Sequence, residues 1–316
     1  MKERASISVL TGGIGPEREI SLATGQALTE SLARRFQAEM IDLTEPSLPE
    51  EIKPEETVVF PAIHGTFGED GTLQNLLEQG GFSYCGSGPD ASRLCMDKTL
   101  CKEVVEGAGV RVAKGFSFSD PTEVDLDETL SELGGDLVIK PTDQGSSFAL
   151  FVVKGSEELA TALSSLSSGN WMIERRVFGR ELTLGVLGGE PLGAVEVIPS
   201  GGVYDYERKY SPGSTDYRYP AELESSIEEE LRQFSVQAFE ACGCRDFARV
   251  DFIVCERGKA HFLEVNTLPG LTGTSLLPKS AACCGLGFDE LTLRLVEPAL
   301  ERFFSGCLLS AQPLKP

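Results

Sequence analysis

Two polar residues on one predicted strand raise the first question of chemistry in this sequence. The stretch ARVDFIVCERGKAHFLEVN, residues 248 to 266, has the pattern of two β-strands joined by a turn around Gly258. Because strand side chains alternate between faces, Glu264 and Asn266 point the same way. A carboxylate and an amide oxygen on one face are either ordinary solvated polarity or part of a metal site.

The turn supplies cross-strand partners for both residues. Centring it within ERGK places Asp251 opposite Glu264, and it places Arg249 opposite Asn266 on the same face. The same register predicts an apolar opposite face, made of Val250, Phe252, Leu263 and Val265. Paired carboxylates repel each other, and a divalent cation between them removes the repulsion. Oxygen ligands suit Mg²⁺ or Mn²⁺. The alternative is a solvated face on which one carboxylate pairs with Arg249.

A loop rich in glycine and hydroxyl groups follows Lys140, which ends an apolar strand. The loop, in VIKPTDQGSS, contains Thr142, Gly145, Ser146 and Ser147. Successive backbone N–H groups and hydroxyls in such a loop can hold phosphate oxygens. The loop lacks the G-K-[ST] sequence of a P-loop, and Gly/Ser hairpin turns are also common without any ligand.

A second glycine turn, in LTGGIGPEREIS, joins a predicted strand to a predicted helix. Gly12, Gly13 and Gly15 do not fit the dinucleotide pattern G-x-G-x-x-G, because Arg18 stands where the last glycine belongs. Glu17, in the first helical turn, would repel a pyrophosphate and attract an ammonium group. A favourable interaction with the helix dipole is the simpler explanation of the same carboxylate. The pattern argues against an NAD site.

The chain has two histidines. His64 follows a predicted parallel strand at its carboxyl end, where α/β proteins commonly form their sites, although it could equally be a surface loop residue. His261 begins a hairpin strand and is interpreted as structural.

Composition limits the function classes. The 316 residues carry a net charge of −21, which argues against nucleic acid or an anionic membrane as the main partner. No apolar run reaches the ~20 residues of a membrane helix, and MKERASISVLTGG does not have the pattern of a signal peptide. The nine cysteines lack zinc-binding spacing and are predicted to be reduced thiols in core and helix positions, so we expect a cytoplasmic protein.

The order of predicted elements divides the chain into three parts. The first ninety residues alternate strands and helices, which indicates an open parallel α/β sheet. The next part predicts helices around an antiparallel hairpin, and the last predicts a meander sheet covered by the helix at 223–242. Within the last part, residues 199–223 form a long stretch without periodicity that contains five tyrosines. A loop of this length in a compact domain is usually functional or disordered.

These motifs together resemble the D-alanine–D-alanine ligases of the ATP-grasp superfamily. The matching stretches, in the family's order and over nearly the whole chain, are GGIGPEREIS, AIHGTFGEDGTLQ, GSGPDASRLCMDK, VIKPTDQGSS, YDYERKY, ARVDF and LEVNTLPGLTGTSL. The resemblance implies an α/β plus α+β, three-domain ATP-grasp architecture. It implies an N-terminal substrate domain at 1–96, a central ATP-grasp domain at 97–178, and a C-terminal ATP-grasp domain at 179–316 with the metal and substrate site.

The resemblance also implies roles for individual residues. The matches to the substrate and catalytic positions are Glu17, His64, Ser146, Tyr210, Arg249, Gly270 and Ser275. The matches to the ATP-binding positions are Lys98, Lys140, Ser147, Glu174, Glu181 and Lys209. The matches to the ligands of two Mg²⁺ or Mn²⁺ ions are Asp251, Glu264 and Asn266.

The implied reaction joins two D-alanines through an acyl phosphate made with ATP, for peptidoglycan synthesis, in a homodimeric enzyme. Tyr210, rather than phenylalanine, indicates D-alanine over D-lactate. The alternatives are a D-alanine–D-serine or D-alanine–D-lactate ligase, or an inactive nucleotide-binding ATP-grasp protein. Phe148 and Ala149 depart from the family's small hydrophobe and glycine, which puts the flexibility of the phosphate loop in doubt. Arg176 departs from the aromatic or aliphatic residue frequent beside the base.

Overall fold

A computed structural model describes residues 5–143, 149–199 and 215–310 of the chain, without the side chains of 306–310. Six residues named above lie outside these ranges: Gly145, Ser146, Ser147, Phe148, Lys209 and Tyr210. In the described part, no helix combines the length and the apolar character that crossing a membrane requires.

The described strands form three sheets. In chain order they are β1 (Ser6–Gly12), β2 (Ala38–Leu43), β3 (Thr57–Pro61), β4 (Ser83–Tyr84), β5 (Gly115–Phe118), β6 (Asp136–Pro141), β7 (Phe151–Lys154), β8 (Trp171–Arg175), β9 (Gly179–Leu187), β10 (Glu190–Pro199), β11 (Thr215–Arg218), β12 (Phe247–Cys255) and β13 (Ala260–Asn266).

Helices cover these sheets. The described α-helices are α1 (Arg18–Leu32), α2 (Thr72–Gln79), α3 (Pro89–Met96), α4 (Lys98–Gly107), α5 (Leu126–Leu133), α6 (Gly155–Ser165), α7 (Ser225–Ala241), α8 (Leu276–Cys283) and α9 (Phe288–Ser310).

The first sheet is parallel, in the order β2-β1-β3-β4, which confirms the predicted α/β character of this part of the chain. Its central strands are buried along nearly their whole length, mainly through apolar residues such as Ile7, Val9, Val58 and Phe60. Such runs are typical of parallel strands with both faces covered. The helix α9, from the far end of the sequence, packs on this sheet and buries Leu295 in the same core.

The second sheet has the order β5-β8-β6-β7 and is antiparallel throughout. The predicted hairpin of β6 and β7 is confirmed, with Ile139 paired to Phe151. Helices α5 and α6 supply Leu133 and Leu159 to its core. The two strands that flank the predicted phosphate loop in the sequence are therefore anchored by apolar burial.

The third sheet has the order β11-β10-β9-β12-β13, so the predicted simple meander is wrong. The strand β12 pairs with β9 instead of with its predecessor, and α7 provides the connection. Leu231, Phe234 and Ala238, at helical spacing on α7, are buried against the sheet, which confirms the predicted covering helix. The predicted long loop is also shorter than expected, because residues 215–218 form β11 on the edge of β10.

The hairpin β12–β13 has the predicted register at the four polar residues of the candidate metal site. Asp251 faces Glu264, and Arg249 faces Asn266. A β-bulge then shifts the pairing by one residue, so Phe252 pairs with Phe262. The prediction for Leu263 is therefore wrong. A bulge leaves one residue outside the regular alternation, and Leu263 lies on the wall of a cavity instead of in the apolar back face.

A buried ion pair ties α9 to the segment before β12. The guanidinium of Arg302 donates to both carboxylate oxygens of Asp246, at 2.8 and 2.6 Å. It also donates to the backbone oxygen of Tyr84, and the N–H of Gly86 donates to Asp246. The Asp246 side chain is only 3% exposed. This carboxylate thus connects the third sheet to the end of the first.

We expect Asp246→Asn to lower the free energy of unfolding by about 2 kcal/mol, since it leaves the Arg302 charge without its partner. Asparagine retains the size of the side chain and tolerates the positive φ of 62° at this position. The matched control is Asp90→Asn, which removes an exposed ion pair with Arg93 and should change stability by less than about 0.5 kcal/mol. Urea unfolding measures both, and equal small losses would contradict the role given to Asp246.

Candidate active site

A cavity of about 400 Å³ lies between the second and third sheets. Six of the residues selected from the sequence line it: Lys98, Lys140, Glu174, Glu181, Asp251 and Glu264. Apolar side chains such as Val138, Val152 and Leu263 form the rest of the wall, together with His261. A few converging charged groups in a partly apolar cleft are typical of a small-molecule site.

The most deeply buried charged group in the wall of this cavity is the carboxylate of Glu174, on β8. It accepts a hydrogen bond from Lys140 Nζ at 2.7 Å through Oε1 and a hydrogen bond from Lys102 Nζ through Oε2. Burial by itself would raise the pKa of Glu174, but the two ammonium groups outweigh it and lower the pKa to about 2. Glu174 is therefore an anion that holds two lysines in place.

Lys102 was missed by the sequence analysis. Burial lowers its pKa to about 8 in spite of the attraction of Glu174, so it still carries a proton at neutral pH. Its spacing was the available signal, because Lys98 and Lys102 are four residues apart on α4 and share a face. The start of α4 is fixed by Asp97, whose side chain accepts hydrogen bonds from two N–H groups of the first turn.

The pair Asp251 and Glu264 is surrounded by cations. Arg249 binds Asp251 through two hydrogen bonds, of 2.9 and 2.8 Å, and Thr183 donates a third at 2.5 Å. Lys98 Nζ lies 3.5 Å from Oε2 of Glu264. One of the alternatives left open by the sequence, a carboxylate paired with Arg249, is thus correct. That alternative also predicted a solvated face, and this part is wrong, because the side chains of Asp251 and Arg249 are largely buried.

These residues also fit a divalent cation. The donors on the shared face are two carboxylates and the amide of Asn266, all of which offer oxygen, as Mg²⁺ and Mn²⁺ prefer. Each carboxylate oxygen has about two acceptor positions. Oδ2 of Asp251 accepts one hydrogen bond from Arg249, so the ion pair leaves acceptor capacity on this carboxylate.

Glu17 and His64 form a second group, at the carboxyl edge of the parallel sheet. Both side chains are buried. The backbone of Gly65 approaches Glu17 so closely that a Cβ added there would lie 2.8 Å from the carboxylate. His64 is fixed by Thr24, whose hydroxyl lies 3.1 Å from Nε2, and by Glu69, 3.8 Å from Nδ1. His64 is thus a buried residue at the sheet edge and not an exposed loop residue.

Gly270 and Ser275 form a third group, in the loop that leads from β13 into α8. A Cβ added at Gly270 would lie 3.0 Å from the Ser275 hydroxyl, so the two residues are close neighbours. The Ser275 hydroxyl accepts from the N–H of Thr272 at 3.0 Å and lies 2.9 Å from the Thr272 hydroxyl. Lys279 Nζ donates to the backbone oxygen of Thr274 and lies 4.6 Å from the centroid of the Tyr217 ring. The loop is therefore held by its own hydroxyl groups.

Two departures from the family pattern have structural consequences. Ala149 has a φ of 54°, in the left-handed region that glycine adopts without steric cost. The alanine therefore adopts the backbone conformation that favours glycine, and the expected effect on the flexibility of the phosphate loop stays a prediction. Arg176 lines the cavity and lies 4.6 Å from the centroid of the Phe178 ring, so an aromatic group is supplied two residues away from the expected position.

The chain matches two family models. The model described as D-ala D-ala ligase C-terminus covers residues 105–297, and the model described as D-ala D-ala ligase N-terminus covers residues 46–87. A D-alanine–D-alanine ligase of Syntrophotalea carbinolica is 41% identical over 94% of this chain and 97% of its own length. That of Clostridium beijerinckii is 36% identical over 93% and 98%.

Solved structures agree with the sequence relatives. A D-alanine–D-alanine ligase from Bacillus anthracis complexed with ATP superposes with a TM-score of 0.83 at 29% identity, over 96% of this chain and 99% of that one. The VanG D-Ala:D-Ser ligase from Enterococcus faecalis superposes with a TM-score of 0.82 at 28% identity, over 94% and 99%. With two family models matched and a relative 41% identical along nearly its whole length, the chain belongs to the D-alanine–D-alanine ligase family.

Proposed function

We propose that this protein joins two D-alanines into D-alanyl-D-alanine with the hydrolysis of ATP, for peptidoglycan synthesis. The observation that carries the proposal is the full-length similarity to D-alanine–D-alanine ligases, together with a cavity in which lysines and paired carboxylates meet. The finer parts of the proposal are the domain boundaries at 96 and 178, a homodimer, a cytoplasmic location and the residue roles below.

In the first step, the γ-phosphoryl group of ATP passes to the carboxylate of the first D-alanine and gives an acyl phosphate. Both reactants are anions, so cationic groups must reduce their repulsion. Lys98 and Lys140 line the cavity and supply positive charge beside the phosphates. Glu181 lies on the same wall, as an ATP-binding residue. Ser147 and Lys209, outside the described residues, complete the proposed nucleotide site.

Asp251, Glu264 and Asn266 would hold two Mg²⁺ or Mn²⁺ ions. Ions bound there would neutralise part of the negative charge on the phosphoryl group that is transferred. The oxygen-only donor set and the cross-strand pairing of the two carboxylates support this assignment.

The first D-alanine would be oriented through its ammonium group. Glu17 is a buried carboxylate that lies against Gly65, the residue after His64, at the carboxyl edge of the parallel sheet, where it can pair with that ammonium. Ser146 and Tyr210, outside the described residues, are proposed as the partners of Glu17 in this contact.

In the second step, the amine of the second D-alanine attacks the acyl carbon, the tetrahedral intermediate collapses, and phosphate leaves. Arg249 and the N–H of Gly270 are proposed to stabilise the oxyanion. Ser275, close to Gly270 in the loop before α8, is proposed to hold the carboxylate of the second D-alanine.

Two other activities are weighed against this one. The D-Ala:D-Ser ligase that superposes on this chain has the same fold, so the fold does not select the acceptor. The tyrosine at position 210 favours D-alanine over D-lactate. An inactive nucleotide-binding protein is disfavoured because a decayed site need not retain four polar groups together: Arg249, Asp251, Glu264 and Asn266.

Purified protein with Mg²⁺, ATP and D-alanine is expected to release phosphate in step with dipeptide. A coupled phosphate assay with D-serine and D-lactate as competing acceptors, read together with mass spectrometry of the products, measures this. Release of phosphate only with another amino or hydroxy acid would overturn the assignment.

Glu264→Gln is expected to lower kcat at least about a hundredfold, because it removes a charged group from the proposed metal site. The matched control is Glu256→Gln, an exposed glutamate at the turn of the same hairpin, which should retain wild-type activity. Near-normal activity of Glu264→Gln would contradict the metal role.

The lysine cluster gives a pH prediction. The pKa of Glu174 is lowered from 4.5 to about 2, so this carboxylate stabilises the fold above about pH 4.5 and loses its contribution as pH falls toward 2. The shift corresponds to roughly 3 kcal/mol. We expect Glu174→Gln to be less stable at pH 7 and to lose less stability than the wild type as pH falls.

Urea unfolding between pH 7 and 3 measures this effect. Glu157→Gln, at an exposed position on α6, is the control and should follow the wild-type pH profile. If the stability of Glu174→Gln had the same pH dependence as that of the wild type, the buried ion cluster of Glu174 with Lys102 and Lys140 would not determine the acid sensitivity of the fold.

A further inference from the structure

Four cysteines from distant parts of the sequence lie close together in the apolar core that the third sheet forms with helices α3, α4 and α7. Cys95 lies near the end of α3, and Cys101 lies on α4. Cys242 caps the carboxyl end of α7, and Cys244 lies between α7 and β12. The Sγ atoms of Cys95, Cys101 and Cys242 all lie within 4.8 Å of one another, and all three side chains are buried.

Two separations within this cysteine cluster match those of metal ligands, while the Sγ of Cys244 lies outside the group of three sulfurs that are mutually within 4.8 Å. Sγ of Cys101 lies 3.7 Å from that of Cys242, and Sγ of Cys95 lies 3.8 Å from that of Cys244. A tetrahedral Zn²⁺ holds thiolate sulfurs at about 2.3 Å, which places the sulfurs about 3.8 Å from one another. The two distances are much longer than a disulfide bond, and the four thiols are free.

We propose that Cys95, Cys101, Cys242 and Cys244 bind one Zn²⁺ ion in a structural site. Thiolates are the ligands that zinc prefers in tetrahedral sites with four sulfurs. Binding displaces the thiol protons to solvent, which supplies the negative charge that neutralises the cation. Cys244 is half-buried and offers the ion a route from solvent into the cluster, while the other three thiols are buried.

The position of the cluster suggests what the ion does. The helix α4 carries Lys98 and Lys102, and Cys101 lies on the same helix directly before Lys102. Cys244 precedes β12, the strand of Arg249 and Asp251. A zinc ion bound by all four sulfurs therefore ties the helix that presents the lysines to the strand that presents the carboxylate, in addition to the apolar contacts between them. This inference does not rest on the proposed ligase activity.

The test measures metal and sulfur ligation in the full-length protein, purified under reducing conditions from cells grown with zinc. Elemental analysis after removal of loosely bound ions is expected to give one zinc per chain. Replacement of that zinc by Co²⁺ should produce the thiolate-to-cobalt charge-transfer absorption of a tetrahedral sulfur site. This absorption requires sulfur ligands, so Co²⁺ bound by Asp251 and Glu264 does not produce it.

Variants separate the cluster from the other cysteines. Cys242→Ser is expected to lose both the zinc and the charge-transfer absorption, whereas Cys284→Ser, at an exposed cysteine outside the cluster, should retain both. Should Cys242→Ser fail to fold, the half-buried Cys244→Ser and the Co²⁺ spectrum of the wild type decide the question.

Several results would overturn the proposal: a folded wild type that retains no zinc and gives no thiolate absorption with Co²⁺, iron in place of zinc at these sulfurs, or zinc retained by Cys242→Ser. Disulfides between the cluster cysteines in freshly reduced and desalted protein, seen as a loss of two hydrogens each by intact mass, would also overturn it. Phosphate release with D-alanine is measured on the same preparations, so a failure of the metal site is distinguishable from a failure of the ligase assignment.

Discussion

The buried carboxylate of Glu174 is the interaction on which the rest of the cavity depends. An isolated charge at this depth would be strongly unfavourable, and the two ammonium groups of Lys102 and Lys140 make it tolerable. Those lysines come from α4, which packs on the third sheet, and from β6 of the second sheet. One ion cluster therefore joins the two sheets that form the cavity, and it fixes positive charge on the wall of that cavity.

A second ionic arrangement organises the opposite wall. Asp251 receives three hydrogen bonds from Arg249 and Thr183, so its orientation is set before any ligand arrives. Groups that are already oriented stabilise developing charge without reorganisation during the reaction. The β-bulge next to Asp251 turns Leu263 into the cavity, so the same hairpin supplies both charged groups and an apolar part of the cavity wall.

The buried cysteines show how tertiary structure changes the interpretation of a sequence. Their spacing along the chain, with Cys95 and Cys101 separated from Cys242 and Cys244 by more than a hundred residues, does not match a zinc motif. The packing of α4 against α7 brings the two groups together. Ligands recruited by helix packing leave no local signature, because their spacing depends on the whole fold.

The sequence by itself determined the parallel first sheet, the β6–β7 hairpin and the facing of Asp251 with Glu264. These follow from strand alternation and turn position, which are local properties of the chain. Tertiary structure alone decided that β12 pairs with β9, that Leu263 lines the cavity, and that Lys102 joins Glu174. Each depends on contacts between residues far apart in the chain, whose geometry is set by packing and by the requirement that buried charges find partners.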